Sequence, residues 1–341
     1  MLTMGSSDRR APLLGRLAAA ASAGLLLFTA AASIPGGTPI PLGGETPTET
    51  GQGVALHVAT VGWHGRPYSS TAMRDGTSAA APTRWKPAVG TSWQWQLSGP
   101  ADLSAPVGVF VLDLDQTSTA TVDAIHAKGA RAVCLLPTGT WQGSRLDAAA
   151  YPAGVLGKTV AGYPDERYVD LRAITALRPV IDARLDRCAI KGFDGVAPDV
   201  DDSVVDVGAA GVGFPLGYSD QIAFDRAVAA DAHARGLAIG LKNGTFGTDV
   251  QRFVADLEPV TDFALNEECA AAGGLCGALA VFGRHGKPVF HTEYLYDYPG
   301  ATLAAPGPAL TRFCRTTAAL RFSSIVKDAS STASSWRAAC P

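Results

Sequence analysis

Clustered positive charge is missing from this chain: its 28 lysines and arginines are scattered among 31 acidic residues, giving a net charge of -3. Binding to nucleic acid depends on grouped cations that neutralise phosphates, so that class of partner is excluded. No Cys-x-x-Cys, no His-Glu-x-x-His and no zinc-finger spacing of Cys and His occurs, so the sequence offers no metal site and calls for no cofactor. A Gly-x-Ser-x-Gly elbow is also absent, which argues against a serine esterase. Gly208, Gly211 and Gly213 follow an acidic segment instead of opening a helix, so they read as a flexible loop and not as a dinucleotide-binding turn. There is no internal repeat of roughly 20 to 50 residues and no heptad pattern, which leaves a monomer as the default.

What the chain does have is 341 residues, of which 47% are hydrophobic and 17% charged, enough for one large core. Residues 1–32 read as a signal peptide, because Arg9, Arg10 and Arg16 precede an apolar run that closes on Ala30-Ala31-Ala32. That run, about 16 residues, is short of the roughly 20 a span needs, so no membrane role beyond export is expected. Residues 33–83 are rich in Gly, Pro, Thr, Ser and Ala and read as a low-complexity linker unable to bury enough apolar surface to fold. Six cysteines suit a secreted, extracellular protein. They admit many pairings, and the one expected here joins Cys134 to Cys188, Cys269 to Cys276 and Cys314 to Cys340.

From residue 84 to 341 short β-rich runs alternate with helical stretches, the pattern of a parallel sheet with crossover helices. Eight runs can be counted, at 92–97, 107–112, 130–136, 194–197, 238–241, 263–265, 288–292 and 322–326. Helices are predicted over 171–190, where Leu177, Ile181, Leu185 and Ala189 recur every fourth residue, and over 221–235 and 275–285, each followed by a glycine. Eight strands in a domain of this length predict a (β/α)8 TIM barrel, which runs to about 250 residues. An open, doubly wound sheet is the structural alternative.

Barrel enzymes carry their chemistry just past the C-terminal ends of the strands. Here those positions hold Trp95, then Asp113 and Asp115, then Asp199 and Asp201, then Lys242 and Asn243, then Asn266 and Glu267, then Glu293 and Tyr294. Acids delivered by two separate strands to one rim suggest cleavage of a glycosidic bond. Aromatic faces beside many carboxylates suit a polysaccharide whose sugars carry positive charge, with Trp95, Asp113, Asp115, Asp201, Lys242, Asn243, Asn266, Glu293 and Tyr294 as the substrate-binding set. Asp194, at the start of its strand, reads more readily as a backbone-bonding residue than as a catalyst. His126 and His233 read as surface residues on helices, and His291 as a core group.

Taken in order, Trp93-Gln94-Trp95-Gln96-Leu97, Asp113-Leu114-Asp115, Lys191-Gly192-Phe193-Asp194-Gly195-Val196 leading to Pro198-Asp199, Gly213-Phe214-Pro215-Leu216, Gly240-Leu241-Lys242-Asn243, Asn266-Glu267-Glu268-Cys269 and His291-Thr292-Glu293-Tyr294 resemble glycoside hydrolase family 114. That family comprises endo-α-1,4-polygalactosaminidases and is related to the spherulin-4-like proteins; the likeness runs from about Trp85 to Asp328. The resemblance implies a secreted TIM-barrel hydrolase of α-1,4-linked galactosamine polymers, such as those of microbial biofilms. It maps the family's acidic pair onto Asp199 and Glu267 and, with retention of configuration, makes Asp199 the nucleophile and Glu267 the acid/base. Lys242 is expected to keep Asp199 ionised, and Glu268 to hold Glu267 protonated by like-charge repulsion. The chain departs from the family's usual Glu-Pro-Asp-Asn at Ala197-Pro198-Asp199-Val200, and from an aromatic and serine at Leu136-Pro137-Thr138. These departures leave a second reading, a secreted carbohydrate-binding barrel that has lost turnover.

Overall fold

A computed structural model describes residues 84–328 and 333–341; the expected signal peptide and linker lie outside the described residues. In chain order the elements are β1 (Trp93–Gln96), β2 (Val109–Asp113), α1 (Thr119–Ala127), β3 (Arg131–Pro137), β4 (Thr140–Gln142), β5 (Leu156–Val160), β6 (Tyr163–Val169), α2 (Ile174–Ile190), β7 (Gly195–Asp199), α3 (Ser203–Val212) and α4 (Tyr218–Ala234). They continue with β8 (Ala238–Lys242), α5 (Val250–Leu257), β9 (Phe263–Glu267), α6 (Ala280–Arg284), β10 (Val289–Tyr294), α7 (Gly307–Ala319), β11 (Ser323–Lys327) and β12 (Ala338–Ala339). Each of the eight predicted strands is present, with no end moved by more than two residues. They form one sheet in the order β1-β2-β3-β7-β8-β9-β10-β11, every neighbouring pair parallel, with β12 added antiparallel to β11.

Strand alternation decides what each face carries. One face gathers Trp93, Trp95, Val109, Val111, Val133, Leu135, Ala197, Phe263, Leu265, Phe290 and Ile325 into a single apolar cluster. The sheet curls around that cluster: Trp93 of the first strand packs on Phe290 at 5.5 Å between ring centroids and donates its indole N–H to the Ser323 carbonyl at 2.8 Å. Gly240 is required inside this curl, because a Cβ there would sit 2.4 Å from the Phe263 ring. The C-terminal tail lies along the same junction. Leu97 donates to the Ala333 carbonyl, the Gln94 amide to the Ser335 carbonyl, and the Lys327 ammonium to both Gln94 and the Ser334 carbonyl.

The opposite face is covered by helices. Leu177, Val180, Ile181, Leu185 and Cys188 of α2 are buried on it, which matches the predicted stripe; Ala189 is only half-buried. Two carboxylates fix the other ends of the strands in the same way. Asp194 accepts from the Ala132 N–H, Arg131 and His126, and Asp262 accepts from the Ile239 N–H, Arg84 and His233. Both histidines are thus structural partners of these acids. The three disulfides are those expected: Cys134–Cys188 ties α2 to β3, Cys269–Cys276 closes the loop after β9, and Cys314–Cys340 ties the tail to α7. Among the described residues no helix is long and apolar enough to cross a membrane.

Two readings need correction. Gly208 and Gly211 lie within α3, which Gly213 ends in the left-handed region, so the segment is a helix kinked at Gly208 and not an open loop. The predicted helix over 275–285 is a 3-10 turn, Cys276–Leu279, followed by the short α6. The sequence also gave no warning of the three-stranded antiparallel sheet β4-β6-β5, inserted after β3.

Candidate active site

On the inward face, alternation carries the apolar layer of β7, β8 and β9 one step further, to Asp199, Lys242 and Glu267. Lys242 stands between the two acids, its ammonium 2.8 Å from Asp199 Oδ1 and 2.6 Å from Glu267 Oε1. Burial pulls the ammonium's affinity for its proton down, and the two carboxylates outweigh it and hold the pKa above the ordinary lysine range. Glu267 receives a second donor, the Tyr294 hydroxyl on Oε2 at 2.5 Å. Burial pushes the Glu267 carboxyl upward, with Lys242 and Tyr294 opposing it and Asp199 adding to it. The direction is the one expected, but the cause is desolvation. Glu268, named for that role in the sequence reading, has its own carboxyl raised to about 9, by burial first and then by Asp297.

Each of these three strands ends in the same unusual turn. Val200, Asn243 and Glu268, which directly follow Asp199, Lys242 and Glu267, have φ of 59°, 58° and 58°. Left-handed backbone is strained for non-glycine residues, most of all for β-branched valine, and it concentrates where a protein must aim a side chain. The turns are held from neighbouring strands. The Asn243 side chain accepts from the Glu267 N–H at 2.9 Å, and Asp201 and Asp202 accept from the Lys242 and Gly244 N–H groups at 3.0 and 2.9 Å. Gly139 makes room on the β3 side, since a Cβ there would lie 1.8 Å from the Val200 carbonyl.

The remaining expected site residues are placed differently. Asp113 and Asp115 are clamped by Arg145, at 2.7 and 2.9 Å, and Asp115 also by Arg187. Asp201 is buried behind the rim against Asp225, its pKa pushed well up by burial and by that neighbour. Asn266 points to the helix side and donates to Thr245 at 2.9 Å. Glu293 is wholly buried, bonded to His291, Tyr298 and the Ala270 and Ala271 N–H groups, so it anchors the loop after β9. Trp95 is 0% exposed and floors the site, its ring 5.8 Å from the Lys242 ammonium. The structure therefore brings together Asp199, Lys242, Asn243, Glu267 and Tyr294 over Trp95, and turns the others to support.

Glu166 of β6 was not foreseen. It is nearly buried, takes the Thr140 hydroxyl at 2.5 Å and the Gln142 amide at 3.1 Å, and lies close enough to Asp199 to feel its charge. Burial, with that charge added, pushes its carboxyl up to about 7. Its strand belongs to the inserted sheet, where no periodic signal marked a site.

The model of glycoside-hydrolase family GH114 matches residues 74–341. Among solved structures, Ega3 of Aspergillus fumigatus in complex with galactosamine aligns with a TM-score of 0.65 at 28% identity, covering 76% of this chain and 98% of that one. The glycoside hydrolase domain of PelA from Pseudomonas aeruginosa shares the fold at a TM-score of 0.50 and 17% identity, covering 70% of this chain and 95% of that one. No curated protein sequence matches. A family match that spans all the described residues, over a sheet whose adjacent parallel strands end in two acids bridged by one lysine, establishes that the chain belongs to glycoside-hydrolase family GH114 and is a glycoside hydrolase.

Proposed function

We propose that the chain is a secreted, endo-acting hydrolase of α-1,4-linked galactosamine polysaccharide that retains anomeric configuration, built on a (β/α)8 barrel whose seam between β1 and β11 is held by the C-terminal tail. The observation that carries this reading is the Asp199–Lys242–Glu267 arrangement. Two carboxylates on one ammonium, at 2.8 and 2.6 Å, have facing oxygens no farther apart than the sum of those distances. That bound admits the spacing of about 5 to 5.5 Å between carboxyl groups that is typical of retaining pairs. Asp199, the more exposed of the two, attacks the anomeric carbon, and Glu267 gives a proton to the departing oxygen. Glu267 then takes a proton from the water that releases the glycosyl-enzyme. The acids around the mouth favour a substrate carrying ammonium groups. Ega3, crystallised with galactosamine, supports the choice of sugar. Secretion rests on the N-terminal reading and on the three disulfides.

One observation favours the opposite assignment of the two roles. Both oxygens of Glu267 face donors, Lys242 and Tyr294, which suits a carboxylate nucleophile. Azide rescue distinguishes the assignments. With Glu267 as acid/base, Glu267→Ala plus azide yields an α-glycosyl azide and Asp199→Ala yields the β-anomer; the swapped assignment reverses these products. Equal, negligible turnover by wild type, Asp199→Asn and Glu267→Gln would instead mark a binding protein without catalysis.

A further inference from the structure

We propose that Tyr296 is the sugar-stacking platform of this cleft and holds a galacto-configured pyranose beside the one being cut, an assignment that rests on the polysaccharide reading above. Polysaccharide sites use flat aromatic faces open to solvent, and the indoles that the sequence offers for this cannot serve, since Trp93 and Trp95 are both 0% exposed. Among the described residues the exposed large apolar side chains are Leu146, Ile190, Leu275, Leu303 and Tyr296, so Tyr296, at 44% exposure, is the aromatic one.

Its position gives the exposure meaning. The Tyr296 ring lies parallel to that of Tyr294, with centroids 5.6 Å apart and planes 3° apart. Tyr294 donates to Glu267 at 2.5 Å, and Tyr296 donates to the adjoining Glu268 at 2.5 Å. One ring face is thus fixed by its neighbour and the hydroxyl by an acid, so the platform is already ordered when sugar arrives and loses little entropy on binding. An axial 4-hydroxyl gathers the C–H bonds of a galacto sugar onto one face, which can lie against the ring, while a protonated 2-amino group is drawn to the negative π face.

The test is steady-state hydrolysis of galactosamine oligomers by wild type, Tyr296→Ala, Tyr296→Phe and Tyr296→Trp, together with calorimetric binding of the same oligomers in a Glu267→Gln background. Tyr296→Ala should raise KM and weaken binding about ten-fold, with the loss on KM and not on kcat, as expected for contacts shared by ground and transition states. The aromatic replacements should restore both to within about three-fold, since ring area and not the hydroxyl carries the contact. Unchanged KM and binding in Tyr296→Ala, with an active wild type, overturns the platform alone. A loss equal in Ala, Phe and Trp overturns it too, because the hydroxyl bond to Glu268 would then be what matters. A wild type that neither binds nor cleaves the oligomers overturns the substrate reading and the platform with it.

Discussion

A buried ammonium with two carboxylates at ion-pair distance ties the protonation of each acid to the other, so Lys242 should control the pH range as well as the rate. Replacing it with methionine removes the cation that favours both ionised forms. The Glu267 carboxyl, which Lys242 pulls down against burial, then rises further, and the basic limb of kcat/KM, set by its protonated form, moves to higher pH. The accompanying loss in kcat/KM should be about a hundred-fold or more, in line with removal of one fixed electrostatic group; a pH–rate profile of Lys242→Met against wild type measures both. Asp199, Lys242 and Glu267 were legible in the sequence because each ends a short apolar run and alternation sends all three to one face. Asp113 and Glu293 obey similar spacing and were read the same way, but their partners Arg145 and His291 decide their role, and spacing does not reveal partners. Glu166 and Tyr296 lie in an inserted sheet and in the turn after a strand, where no period exists to mark them.

Most of the eight strands were readable because they bury a short apolar run, as β2 and β3 do, a signal that survives without knowing its neighbours; β1, Trp93-Gln94-Trp95-Gln96, is buried throughout but alternates. The inserted β4-β6-β5 sheet was not readable, since Leu156–Val160 and Tyr163–Val169 are half exposed and polar. α3 was missed because two glycines within its ten residues and a third just after them read as a loop, although contacts from Gln221 to Ser203 and to the Val204 N–H hold its first turn. The loop after β9 depends on Cys269–Cys276, a bond closing seven residues, and on Glu293. Replacing both cysteines with serine should lower stability by about 2 kcal/mol, the entropy expected for so short a loop. It should also reduce kcat by loosening the segment that follows Glu267. Chemical denaturation and kinetics on the double variant test this; unaltered kcat with lowered stability would separate the loop from catalysis.

Across the whole molecule, acids with raised pKa values outnumber those held low near the rim. Burial lifts Asp202 to about 6, Glu166 and Asp206 to about 7 and Glu268 to about 9. In the unfolded chain these groups lose protons near pH 4. Between that pH and their folded values the native state therefore holds more protons than the unfolded state, so stability declines as pH rises. Lys327 works the other way: its folded value, lowered to about 7 chiefly by burial, lies below that of an unfolded lysine, and its contribution recovers above neutrality. The melting temperature should accordingly fall by several degrees from pH 5 to 7 and level off above, and Glu166→Gln should flatten the decline; a melting temperature that rises over that interval would show the acids to be ionised and paired. The central claim concerns the reaction itself, and its most direct test is the proton NMR spectrum of the first product that wild type releases from an α-1,4-galactosamine oligomer. Asp199 and Glu267 acting across Lys242 predict that the new reducing end appears first as the α-anomer and mutarotates afterwards; a first-formed β-anomer, or no new reducing end, would contradict the account.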